Sequence, residues 1–165
     1  GSLYVGDNPN SAVNINNLKV LCKGIYDPND LTTKTQSSLV TVNPWDVVVT
    51  ASATLSGVYN ASNLITNNED TEYYFLAEGG FYRMNANGSG VSRINSLISD
   101  ILYYRDETYS QYSVTDSVTY YYNRDVLYVN DSENSKNTIY KYNLNANAFI
   151  DTIIVDGDVR DVNFY

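Results

Sequence analysis

The chain of 165 residues carries 17 tyrosines, one cysteine, no histidine and a formal net charge of −9. Without histidine it lacks the commonest general base and the commonest metal ligand; its ten basic residues are scattered, so it offers no positive stripe to nucleic acid or to an anionic membrane. The length is that of one ordinary domain with its own core, and 43% hydrophobic against 18% charged residues marks globular material rather than a disordered tail.

The polar share is mostly Asn, Ser and Thr, which favour turns and strands and penalise helix interiors. This composition argues against an all-α fold. Gly1-Ser2 has the look of a protease-cleavage scar, which leaves residues 3–165 as a single β-rich domain cut from something longer. Val13, Ile15, Leu18, Val20 and Cys22 alternate as one or two strands, and Tyr26-Asp27-Pro28-Asn29-Asp30 is turn chemistry. Cys22 lies in an apolar run and has no histidine to activate it, so it reads as a small buried hydrophobe.

Leu39–Val42 and Trp45–Leu55 read as strands separated by Asn43-Pro44, and Asn60–Asp70 as a polar loop. The apolar run from Val47 to Val58 is broken by Thr50, Ser52, Thr54 and Ser56, short of the roughly 20 apolar residues of a membrane span. Tyr73–Leu76 and Phe81–Met84 flank Glu78-Gly79-Gly80. Two aromatic runs around a Gly-Gly turn predict a β-hairpin, because glycine accepts the positive φ of such turns.

Between Ser89 and Tyr104 the period changes. Val91, Ile94, Ile98 and Ile101 fall at helical spacing, widened by Leu97 and Leu102, with Ser89 or Ser92 available as N-cap. One packed α-helix over about 91–104 is the expectation. Beyond it, Tyr112–Tyr122, Val126–Val129, Thr138–Leu144, Phe149–Val155 and Val159–Phe164 are rich in β-branched and aromatic residues. Short polar gaps, among them Asn123-Arg124-Asp125, make them a meander of antiparallel hairpins. The fold class is thus mainly β, with antiparallel hairpins in twisted sheets and a single helix.

The segments Val126–Asp131, Thr138–Tyr142 and Phe149–Ile153 also resemble one blade of a β-propeller. A blade takes about 40–50 residues. The first seventy residues offer no such unit, and the helical stripe runs against it.

Possible chemistry is sparse. Asp106-Glu107, Glu69-Asp70 and Asp156, Asp158, Asp161 could supply a glycosidase-like carboxylate pair, but all three sit in turn-like contexts where acids are expected anyway. Asp156-Gly157-Asp158 reads better as a tight turn than as a calcium loop, and one Cys without His leaves no ordinary zinc site. No cofactor is expected. Three Asn-x-Ser triplets, at Asn60, Asn87 and Asn130, suggest permissive surface loops.

The tyrosines are the informative set. Strand neighbours face opposite sides, so Tyr120 and Tyr122 share one face and Tyr121 takes the other. Exposed Tyr beside Asn, Ser and Asp is what a glycan or protein partner binds; the plainer reading is a two-sided sheet with its hydroxyls in water. Trp45, Tyr82, Tyr120 and Tyr122 are the candidate ligand-binding residues on chemical grounds.

In size and character (Asn/Tyr/Ser/Thr-rich, disulfide-free, β-dominated) the whole chain resembles the head domain of a viral attachment spike. In particular it resembles the trypsin-released N-terminal head of the rotavirus outer-capsid spike from a divergent group. No segment matches the galectin-like heads of the common group, so no binding residue carries over. The resemblance implies a non-enzymatic module on the virion surface, part of a larger spike polypeptide, engaging a host-cell glycan or protein receptor without membrane insertion. The alternative is a propeller-like or phage/bacterial surface scaffold.

Overall fold

A computed structural model describes residues 2–14, 16–27, 29–30, 32–67, 69–131 and 134–159. Among these residues the chain is all-β, with twelve strands and no helix. They form three four-stranded antiparallel sheets, each taking its strands in chain order. The first holds β1 (Pro9–Asn14), β2 (Leu18–Cys22), β3 (Ser38–Asn43) and β4 (Val48–Thr54). The second holds β5 (Ser62–Thr66), β6 (Glu72–Ala77), β7 (Gly80–Asn85) and β8 (Ser92–Asn95). The third holds β9 (Asp100–Ser113), β10 (Val118–Asp131), β11 (Ser135–Asn143) and β12 (Ala148–Ile154). The chain divides into two compact units, residues 1–97 and 98–165.

In the first unit the two sheets share a core. Leu21 and Leu39 from the first meet Leu64, Tyr73, Phe75 and Met84 from the second, joined by Leu55, Val58 and Ala61 of the connection. The first sheet is buried on its other face as well, where Val20, Cys22, Val40 and Val42 lie under Leu3 and Val5. That two-sided burial explains the consecutive apolar residues Val20-Leu21-Cys22 in β2 and Leu39-Val40 in β3, each large apolar side chain stabilising the fold by about 1.5–3 kcal/mol. Cys22 is fully buried and burial pushes its thiol up, as its apolar context predicts. Ser37, also fully buried, pins the connection by donating to the Lys23 carbonyl at 2.7 Å and accepting the Ala61 N–H at 3.1 Å. Gly88, in the β7–β8 turn, has φ +82° and packs so close to β4 that a Cβ there would stand 2.6 Å from the Ala53 Cβ.

The expected helix over 91–104 does not form. Ser92–Asn95 is β8, paired to β7 through Tyr82↔Arg93 and Arg83↔Ser92, and Asp100 already begins β9. The helical spacing of Ile94, Ile98 and Ile101 comes from two strands of period 2 separated by a bend. The Asn95 side chain holds that bend by accepting the Leu97 N–H at 2.6 Å, a local bond that competes with helix formation. Leu97, which a helical stripe would bury, is 62% exposed.

Other boundaries move for similar reasons. Asn60–Asp70 contains β5. Trp45 belongs to the β3–β4 turn rather than to a strand, because Asn43 Oδ1 accepts the Trp45 N–H at 2.9 Å and Val47 adopts φ +54°. Tyr112 and Tyr122 lie on different strands, joined by a turn over 114–117, whereas Asn123-Arg124-Asp125 runs through β10 without a break. The Gly79-Gly80 hairpin and the β10–β11–β12 meander agree with expectation. The strand expected at Val159–Phe164 lies, apart from Val159, outside the described residues. Both objections to blade-like units fall: residues 9–54 already form a four-stranded meander, and the helix is absent.

In the second unit Val126, Tyr128 and Ile139 form a cluster with Leu102, Val155 and Val159. Asn130 and Asp131 are buried, where the sequence suggests a permissive surface loop. The Asn130 amide donates to the carbonyls of Ser135 at 3.3 Å and Thr138 at 2.6 Å, closing the β10–β11 turn.

Candidate functional site, a tyrosine face on an open ribbon

β9 and β10 pair along their whole length, from Val118↔Ser113 to Asn130↔Asp100, while β11 pairs with β10 only from Val126 to Asp131. Residues 118–124 and their partners on β9 therefore extend past the sheet as a two-stranded ribbon, roughly 23 Å long at strand rise. Every residue from Thr108 to Gln111 and from Val118 to Tyr122 is exposed.

The register sets the faces. Tyr120, Tyr122 and Arg124 alternate onto one side of β10, opposite Gln111, Tyr109 and Glu107 of β9. On this face Tyr109 stacks on Tyr122 with centroids 5.3 Å apart, and Tyr120 follows at 6.4 Å from Tyr122. The three rings are 41%, 41% and 43% exposed, which leaves their outer surfaces in water. Toward the tip the Tyr120 hydroxyl donates to the Asp116 carboxylate, which raises the phenol and lowers the acid. Tyr121, 74% exposed, occupies the opposite face.

Toward the base the ladder ends on an ionic cluster. The Arg124 guanidinium lies 5.1 Å from the Tyr109 centroid and donates through Nη2 (2.8 Å) and Nε (3.2 Å) to one oxygen of Glu107. Lys141 Nζ stands 3.1 Å from the other oxygen, and the Tyr128 hydroxyl donates to the same carboxylate. Burial alone would raise the Glu107 carboxyl. The hydrogen bonds from Tyr128, Arg124 and Lys141, with the Lys141 charge, outweigh it and hold the group at about 2. Burial and the bond to Glu107 push Tyr128 up to about 12. One carboxylate between two cations leaves this three-residue cluster net positive and gives Arg124 and Tyr109 fixed positions.

Of the four sequence candidates, this face unites Tyr120 and Tyr122. Trp45, 91% exposed, lies in the β3–β4 turn of the first sheet. Tyr82 stacks on Phe75 at 5.5 Å and donates its hydroxyl to the Glu78 carbonyl at 3.1 Å, so it serves its own hairpin on the second sheet. Sequence reasoning missed Tyr109 as a partner of Tyr122 and missed the ionic base. Thr115-Asp116-Ser117 was the available signal: a turn there pairs Tyr109 with Tyr122 and Glu107 with Arg124.

Among the described residues, the acids weighed as a possible acid/base pair have other places, in keeping with the turn and capping roles preferred for them. Asp106 and Glu107 point to opposite faces of β9, and Asp70 accepts the Tyr73 hydroxyl and the Asn16 amide. Asp161 lies outside the described residues. No group of three or more His, Cys, Asp or Glu among the described residues is placed to hold a metal ion. A second aromatic cluster is filled by the chain itself: Lys34 Nζ lies 3.6 Å from the Tyr59 centroid and 3.6 Å from a Glu78 carboxylate oxygen. Compared with known proteins, the chain matches no family model and no curated sequence.

Proposed function

We propose that this chain is a non-enzymatic recognition module that binds a glycan on the Tyr109–Tyr122–Tyr120 face. One observation carries the reading: three tyrosines share one exposed face, two of them stacked and the third tilted beside them, and are held there by Asp116 and by the ionic base. The C–H face of a sugar ring stacks on such rings, while Gln111, the phenol hydroxyls and Arg124 supply polar contacts that fix its orientation. In the setting that the spike-head resemblance implies, the module sits on a virion surface and its ligand is a host-cell receptor glycan. The test is a broad glycan array on the folded domain, followed by calorimetric titration of any hit. Saturable binding that Tyr122→Ala weakens supports the reading; a blank array discards the glycan and leaves a protein receptor.

The order of the strands favours a second reading, a propeller-like surface scaffold. Three four-stranded meanders follow one another at residues 9–54, 62–95 and 100–154, and blade-like repeats take this form. A structure of the longer native polypeptide separates the two readings. Further meanders of the same kind that close a ring support the scaffold, and their absence removes it.

A further inference from the structure

The outer edge of the same ribbon, which pairs with no strand among the described residues, carries an inference independent of the glycan reading. The Asp125 N–H donates to Asn145 Oδ1 at 2.7 Å and its carbonyl accepts the Leu144 N–H at 2.9 Å, both away from β9. The β9–β10 register is unbroken from Val118 to Tyr128, so backbone groups alternate strictly along it. Asn123, Tyr121 and Thr119 therefore also direct N–H and C=O away from β9. β11 covers none of them, since its pairing starts at Val126. The edge Val118-Thr119-Tyr120-Tyr121-Tyr122 has high strand propensity and lacks the lysine, proline or bulge that normally blunts such an edge.

We infer that two copies of this chain dimerise by antiparallel pairing of their β10 edges about a twofold axis at Tyr121. In that register the outward groups meet: Tyr121 exchanges both bonds with its own mate, and Thr119 with the mate's Asn123. The charges select this partner and this direction. Asp116 lies at the tip and the net-positive Arg124–Lys141–Glu107 cluster at the base, so antiparallel copies set each Arg124 diagonal to the other's Asp116. Parallel copies would set Arg124 against Arg124. The twofold axis, perpendicular to the sheet, also keeps both tyrosine faces on one side. Tyr120 of one copy stands opposite Tyr122 of the other, and the two ladders become one platform.

Sedimentation velocity of the whole chain across a wide concentration range tests this. The expected result is a reversible monomer–dimer equilibrium. Tyr121→Pro deletes an outward N–H without removing a bond to β9, and is expected to leave only monomer. If that variant loses its circular dichroism signature, Tyr121→Lys and Tyr121→Glu decide instead. Each alone sets like charges on the axis and weakens dimerisation by at least about tenfold, and mixing the two restores it. Tyr121 faces away from Tyr109, Tyr120 and Tyr122, so glycan binding by these variants is read separately. A wild-type chain that stays monomeric, or a dimer that survives both the proline and the unmixed charge variants, overturns the inference.

Discussion

Glu107 stands opposite Arg124 in the β9–β10 register, with 2.8 Å between guanidinium and carboxylate, at the point where the ribbon leaves its sheet. A two-stranded ribbon is marginal alone in water. This pair, tied to Lys141 of β11, anchors its base to a third strand and holds Tyr109 under Arg124.

The pair also governs the acid limb of stability. Glu107 titrates at about 2 in the fold against an ordinary 4.5. A depressed carboxyl contributes stability that is fully present above pH 4.5 and is lost as pH falls toward 2. Thermal unfolding followed by tyrosine near-ultraviolet dichroism is expected to weaken through that window. Glu107→Gln lowers neutral-pH stability by about 2 kcal/mol, because two cations lose their partner, and flattens the acid limb. An acid limb unchanged by the substitution would rule out this role.

On the alkaline side the sign reverses. Tyr128 is raised to about 12 in the fold, so its contribution is full below pH 10 and is lost as pH climbs through 12. Tyr128→Phe is expected to remove that alkaline dependence, read from the unfolding midpoint across the same range.

Asn130 illustrates a sequon with a structural job. Asn130→Ala is expected to cost about 1–3 kcal/mol in urea unfolding, since part-buried carbonyls of the β10–β11 turn lose their donor. Expressed through a secretory pathway, the exposed Asn87 accepts a glycan and the buried Asn130 does not, as peptide mass mapping would report.

Gly88→Ala is expected to destabilise the first unit by about 2 kcal/mol or more. Its φ of +82° disfavours any side chain, and Ala53 on β4 leaves no room for one. Equal denaturation midpoints for variant and parent would mean that the β7–β8 turn relaxes away from β4.

For the tyrosine face, Tyr122→Ala removes the central ring and is expected to weaken glycan binding by roughly tenfold or more, with Tyr109→Ala close behind. Trp45→Ala, on a different sheet, leaves the affinity unchanged. Titration calorimetry of the three variants against the same sugar decides between this face and the β3–β4 turn.

The sequence by itself determined the β class, the Gly79-Gly80 hairpin, the order of the C-terminal meander, the burial of Cys22 and the shared face of Tyr120 and Tyr122. Each follows from alternation, turn chemistry or an apolar run, signals contained within a few residues. Only the tertiary structure decided that residues 92–104 are two strands around an Asn95-held bend, because a period-2 pattern interrupted by a bend imitates helical spacing. Only it decided that Asn123-Arg124-Asp125 continues β10. That polar triplet reads as a turn until Glu107, seventeen residues away, supplies the carboxylate that Arg124 needs. The tyrosine face was half legible for the same reason: alternation along β10 aligns Tyr120 with Tyr122, but Tyr109 joins them only through the register of a strand that local sequence cannot place.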